Sequence, residues 1–123
     1  MIVSALLILA AFLPLLWAQG IAGVRVVANV QNYRGPCPAK IKFTAYIEVT
    51  KYPMVLNCQW ERSDGAKGQV KTIRVPNASA KRITFTDIWE VSAQHKKVWE
   101  RLRVKCGSEN VASEAATVAI NCH

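Results

Sequence analysis

The first 24 residues contain no Lys, Arg, Asp or Glu; Arg25 is the first charged residue. A stretch without charge does not form the solvated surface of a water-soluble domain. Histidine is scarce, with two residues, and no two of the four cysteines stand in a C-x-x-C pair. That spacing argues against a thiolate–imidazole zinc site. The G-x-S-x-G, H-E-x-x-H and P-loop patterns are missing as well. His95 lies in the polar stretch Ala93-Gln94-His95-Lys96-Lys97 and His123 is the last residue, so neither has a nucleophile beside it in sequence. Glu61, Asp64 and Asp87 lack D-x-D-x-D spacing for calcium, and Asp64-Gly65 reads as a turn. These absences argue against an enzyme, a resident metal and a cofactor.

The apolar run Ile2 to Ala18 is present in place of early charge. It has the character of a secretory signal, and Ala18-Gln19-Gly20 and Gly20-Ile21-Ala22 offer small residues for a signal peptidase. Pro14 interrupts the run, which is at the short limit for a bilayer span. No basic residue precedes it, so an uncleaved anchor and a buried helix remain alternatives. The expected organisation is a signal peptide over 1–22 and one domain over 23–123, secreted or at the cell surface, with no stable membrane span after cleavage. All 16 basic and 8 acidic residues then fall in the domain, which carries a formal charge of +8.

From Val24 onward the chain alternates with period two. Ile41, Phe43, Ala45, Ile47 and Val49 alternate with Lys40, Lys42, Thr44, Tyr46 and Glu48. Leu56, Cys58 and Trp60 do so with Asn57, Gln59 and Glu61, and Leu102, Val104 and Cys106 with Arg101, Arg103 and Lys105. Further strands are expected at Val24 to Val30, Val70 to Val75, around Ile83, Phe85 and Trp89, and at Ala115 to Cys122. Asp87 falls on the apolar side of its strand and predicts a bulge. Turn signals separate the segments at regular spacing. The pattern predicts an all-β, immunoglobulin-like antiparallel β-sandwich of about seven strands. Trp60 and Trp89 take inward registers and read as core.

The four cysteines, Cys37, Cys58, Cys106 and Cys122, read as two disulfides in an exported domain. In a Greek-key sandwich the start of the second strand and the end of the seventh lie together, which predicts Cys37–Cys122. The third and sixth strands are neighbours there, which predicts Cys58–Cys106.

Cys58-Gln59-Trp60-Glu61-Arg62-Ser63-Asp64-Gly65 resembles the core stretch of PKD-like and related immunoglobulin-like modules of secreted bacterial proteins. Trp60, Asp64 and Gly65 match that stretch; Cys58 replaces an aromatic, Glu61 an Asp, and Arg62-Ser63 a Phe-Gly. The resemblance extends loosely from Gly35 to Cys122. It implies adhesion, carbohydrate or protein contact, or spacing, and names no ligand. Cys58 and Trp60 share one strand, unlike antibody-type domains.

Arg101, Arg103 and Lys105 share an outward parity with Trp99, and Lys96 and Lys97 lead into the same face. As a solvated face these charges serve solubility. As a site they form a cationic platform with an aromatic anchor, suited to an anionic glycan, a wall polymer or an acidic protein. No nucleic-acid motif is present. The expectation is an extracellular binding or adhesion module. Its alternatives are a self-associating structural subunit, hence a homo-oligomer, using exposed strand edges or Ile21 to Val30, and a secreted enzyme inhibitor. If the cations are free, replacing Arg101, Arg103 and Lys105 together leaves stability unchanged. Asn77-Ala78-Ser79 is a glycosylation acceptor sequence.

Overall fold

A computed structural model describes residues 20–78 and 82–123 of the chain. The apolar run Ile2 to Ala18 and Ser79 of the acceptor sequence lie outside the described residues.

Among the described residues, nine strands form two facing sheets: β1 (Ile21–Ala28), β2 (Asn32–Gly35), β3 (Ala39–Val49), β4 (Met54–Arg62), β5 (Lys71–Val75), β6 (Arg82–Val91), β7 (Lys97–Cys106), β8 (Glu109–Ala112) and β9 (Ala116–Cys122). One sheet has the order β1-β3-β6; the other has β2-β9-β7-β4-β5, with β8 also on β7. The all-β, sandwich-like class matches the period-two reading. The strand count does not, because β2 and β8 have four residues each and show too little alternation to register. The antiparallel expectation is also corrected, since β2 pairs with β9 in parallel.

Alternation sets the core. Ala39, Ile41, Phe43, Ala45 and Ile47 of β3 are fully buried, as are Leu56 of β4 and Val98, Leu102 and Val104 of β7. Trp60 packs edge-on against Phe85 of β6 at 5.5 Å between centroids, closing the two sheets. Trp60 and Trp89 are both core residues. The first strand begins at Ile21, ahead of the expected domain start at residue 23. Ile21 is buried, and the Glu109 carboxylate accepts from the backbone N–H groups of Gly20 and Ile21. The predicted bulge at Asp87 is missing: β6 pairs with β3 in unbroken register from Arg82 to Val91. Asp87 stays in register because Arg62 of β4 reaches its carboxylate at 3.1 Å.

Cys37 and Cys122 form a disulfide across 85 positions, with Cα atoms 5.6 Å apart. It staples the end of the parallel β2–β9 pair, where Gly35 stands opposite Cys122. Closing such a loop stabilises by roughly 4.5 kcal/mol in the chain-entropy account. The second expected bridge does not form, and Cys58 and Cys106 are free thiols. β4 and β7 are neighbours as expected, but the register places Val104 opposite Cys58. Cys106 is therefore two positions along, a diagonal of roughly 7–8 Å, beyond the span of a disulfide.

Candidate functional site: a cationic groove on the β4–β7 face

β7 carries the expected parity. Val98, Glu100, Leu102 and Val104 face inward and are fully buried, so Trp99, Arg101, Arg103 and Lys105 face outward. Alternate residues of a strand are about 6–7 Å apart. Antiparallel pairing sets Glu61 opposite Arg101, Gln59 opposite Arg103 and Asn57 opposite Lys105. On the far side of β7, Asn110 of β8 stands opposite Lys105.

The connection from Ser63 to Gly68 builds one wall. Asp64 Oδ1 accepts from Ala66 N at 2.9 Å, and Gly65 has φ 88°, a left-handed value that favours glycine. This is the turn that Asp64-Gly65 suggests. The chain then folds back along β4, where Lys67 pairs with Glu61 and Gly68 N donates to Trp60 O at 2.9 Å. Ser63 ties the turn to β7: its backbone N donates to Trp99 O, and its Oγ accepts from Trp99 N. Lys67 thereby arrives on the outward face beside Glu61. Sequence reasoning missed Lys67, because only this fold-back distinguishes it from any other loop lysine.

The result is an open groove of about 590 Å³, lined by Trp99, Arg101, Arg103, Lys105, Lys67 and Glu61 among others. Arg62 and Asn110 also border it. Trp99, Arg101, Arg103 and Lys105 are thus brought together. Lys97 shares their parity and Lys96 precedes it, but neither lines the groove.

The two arginines are not free. Arg101 Nε donates to Glu61 Oε1 at 2.7 Å and Arg103 Nε to Glu61 Oε2 at 3.0 Å. Arg103 Nη1 also donates to Asn110 Oδ1 at 2.8 Å. The Arg101 guanidinium lies 5.3 Å from the centre of the Trp99 ring, a cation–π distance. Glu61 is only 6% exposed beneath this pair. The hydrogen bond from Arg103 leads in holding its carboxyl below the ordinary carboxylate range, assisted by Arg101 and opposed by burial. The platform is therefore a pre-organised arginine pair on a carboxylate, not a row of independent charges. Removing Arg101 and Arg103 leaves the Glu61 carboxylate without its partners, so a loss of stability is expected where free cations would give none.

Behind the groove lies a second polar group. Glu100 is fully buried between the sheets, and no donor reaches either carboxyl oxygen within hydrogen-bond range among the described residues, which leaves a proton shared with Asp87 as its polar contact. Arg62 Nε is 3.6 Å from Glu100 Oε2, outside hydrogen-bond range. Burial, then the neighbouring Asp87, pushes the Glu100 pKa up to about 9 against the attraction of Arg62. Arg62 also stacks over Trp89 at 4.9 Å. Glu61 and Asp87 thus face opposite sides of the β4–β7 sheet and do not converge with Asp64 on one point.

No family model and no curated protein matches the chain. Among solved structures, it is similar to Spo0M, a sporulation control protein from Bacillus subtilis, with TM-score 0.52 and 10% identity. The match covers 85% of this chain and 51% of that one, so the chain spans about half the length of that structure. At this identity the likeness concerns the fold alone. The bacterial superantigen toxic shock syndrome toxin-1 gives TM-score 0.36 and 10% identity over 80% of this chain and 99% of that chain.

Proposed function

We propose that this domain is an extracellular, non-catalytic binding module of immunoglobulin-like type that takes an anionic polysaccharide in the β4–β7 groove. The observation that carries the reading is the groove itself. Lys67, Arg101, Arg103 and Lys105 converge there around one carboxylate, beside Trp99. Glu61 satisfies Arg101 and Arg103 through Nε. An ordered guanidinium loses less freedom when it meets a ligand. Lys67 and Lys105 flank the pair as exposed cations. An open trough suits an extended polymer, which makes many shallow contacts, better than a small molecule that needs enclosure. The Cys37–Cys122 disulfide and the apolar start of the chain support an exported setting. The inward Trp60 and the Asp64-Gly65 turn support the immunoglobulin-like reading.

Binding to immobilised heparin and to polygalacturonate, titrated with salt, tests the function. The wild type should bind, and binding should weaken as salt screens the groove. The double change Lys67→Ser and Lys105→Ser leaves Glu61 and its arginines intact. It should reduce affinity by about fivefold or more, given up to about 1 kcal/mol per exposed charge contact. Unaltered affinity in the folded double variant removes the groove from consideration.

A further inference from the structure

The three-stranded sheet ends at β6, and no strand pairs with its outer edge among the described residues. This edge is ten residues long and free of proline. Natural sheets usually blunt such an edge with inward charge, proline or a bulge. The inward charge here, Asp87, is engaged by Arg62 within the sandwich, and no bulge interrupts the β3–β6 register. On the outward face Ile88 is 58% exposed.

The outward residues of β6 have a particular order. Arg82 stands beside Glu48 of β3, Thr86 beside Thr44, and Glu90 beside Lys40. Both end pairs are exposed ion pairs, Arg82–Glu48 at 3.2 Å and Lys40–Glu90 at 3.8 Å. The edge therefore carries a cation at one end and an anion at the other, equidistant from Thr86. Laying β6 of a second copy antiparallel about Thr86 puts Arg82 against Glu90 of the second copy, twice by symmetry. Each row then reads Glu48, Arg82, Glu90, Lys40 across two molecules, with alternating sign throughout. Ile88 comes to lie beside Thr84 of the second copy. A slip of two residues either way unpairs both charges, and parallel pairing sets like against like. The charge pattern thus selects one partner, one direction and one register.

We propose that the protein forms an isologous dimer by antiparallel pairing of β6 with β6 of a second copy about Thr86, joining two three-stranded sheets into one. The groove lies on the other sheet, so it stays open in both copies and the dimer does not rest on the polysaccharide reading.

Sedimentation velocity of the wild type, Arg82→Glu, Glu90→Arg and their equimolar mixture tests this across a thousandfold range of concentration. The wild type should dimerise. Each variant alone sets like charges together at both ends and should weaken dimerisation by about tenfold or more. The mixture pairs opposite charges at both ends and should restore it. A wild type that stays monomeric throughout overturns the proposal, as does a dimer indifferent to both changes or a mixture that restores nothing. If either charge variant does not fold, Thr86→Cys decides instead. It should form an intermolecular bridge through residue 86 itself on mild oxidation, and a folded variant that forms none refutes the register.

Discussion

Glu61 shows what side-chain parity can and cannot reveal. The alternation of β4 and β7 is enough to place Glu61, Arg101, Arg103 and Lys105 on one outward face. Alternation says nothing of how far a carboxylate reaches. Only the observed register, with Arg101 opposite Glu61 and Arg103 two residues along on the same face, lets a single side chain bind both guanidinium groups. Glu61→Gln keeps the shape and removes the charge that holds the arginines apart from each other's field. Chemical denaturation should show a loss of about 1–2 kcal/mol near neutral pH. The sign follows from the lowered pKa. The stabilisation by Glu61 is fully present above the ordinary glutamate value of 4.5 and is lost as pH falls through the lower folded value. Wild type and variant should therefore converge in acid. Equal stability of the two at neutral pH would mean that the carboxylate is effectively solvated.

At the scale of the strand, long elements were legible and short ones were not. β3 has eleven residues and β7 ten, which gives several cycles of alternation. β2 and β8 have four each, and β2 owes its place to parallel pairing with β9, a long-range partner that no local pattern encodes. Register is equally invisible locally, which is why one disulfide was legible and the other was misassigned. Cys37–Cys122 depends on which ends of the sandwich coincide, whereas Cys58–Cys106 depends on a shift of two residues between neighbouring strands. The observed register makes the two free thiols unequal. Cys58 is 1% exposed and burial pushes its pKa up to about 11, while Cys106 is partly exposed at the end of β7. Iodoacetamide should modify Cys106 in the native protein and Cys58 only after denaturation, because the reactive species is an accessible thiolate. Mass spectrometry locates the label, and recovery of a Cys58–Cys106 linked peptide from untreated protein would refute this register.

The whole molecule is bound together across the sheets by apolar packing, by the Glu109 carboxylate on the backbone of Gly20 and Ile21, and by a cluster of polar groups from three strands. Arg62 of β4, Asp87 of β6 and Glu100 of β7 meet where the sequence offers only isolated charges on otherwise apolar faces. Asp87 was visible as an anomaly, but its partners depend on how the sheets are superposed. Glu100 looked ordinary in a strand rich in charge. Burial of its carboxyl makes global stability depend on pH. In the unfolded chain Glu100 ionises near 4.5, and in the fold it keeps its proton to about 9. Between those values the folded state holds one more proton, so this group's contribution to stability falls as pH rises, by up to about 1.4 kcal/mol per unit. The net charge acts in the opposite sense. The formal charge is +8 at pH 7 and the isoelectric point is near 9.6, so self-repulsion eases as pH rises. Comparing the wild type with Glu100→Gln cancels that background, since both carry the same Arg62, Asp87 and Asp64 around the site. The variant should gain on the wild type from about pH 5.5 to about pH 8.5, by about 2 kcal/mol or more in denaturant unfolding. A difference that stays flat over that range would mean that Glu100 is ionised in the fold and that the attraction of Arg62 outweighs the cost of burial.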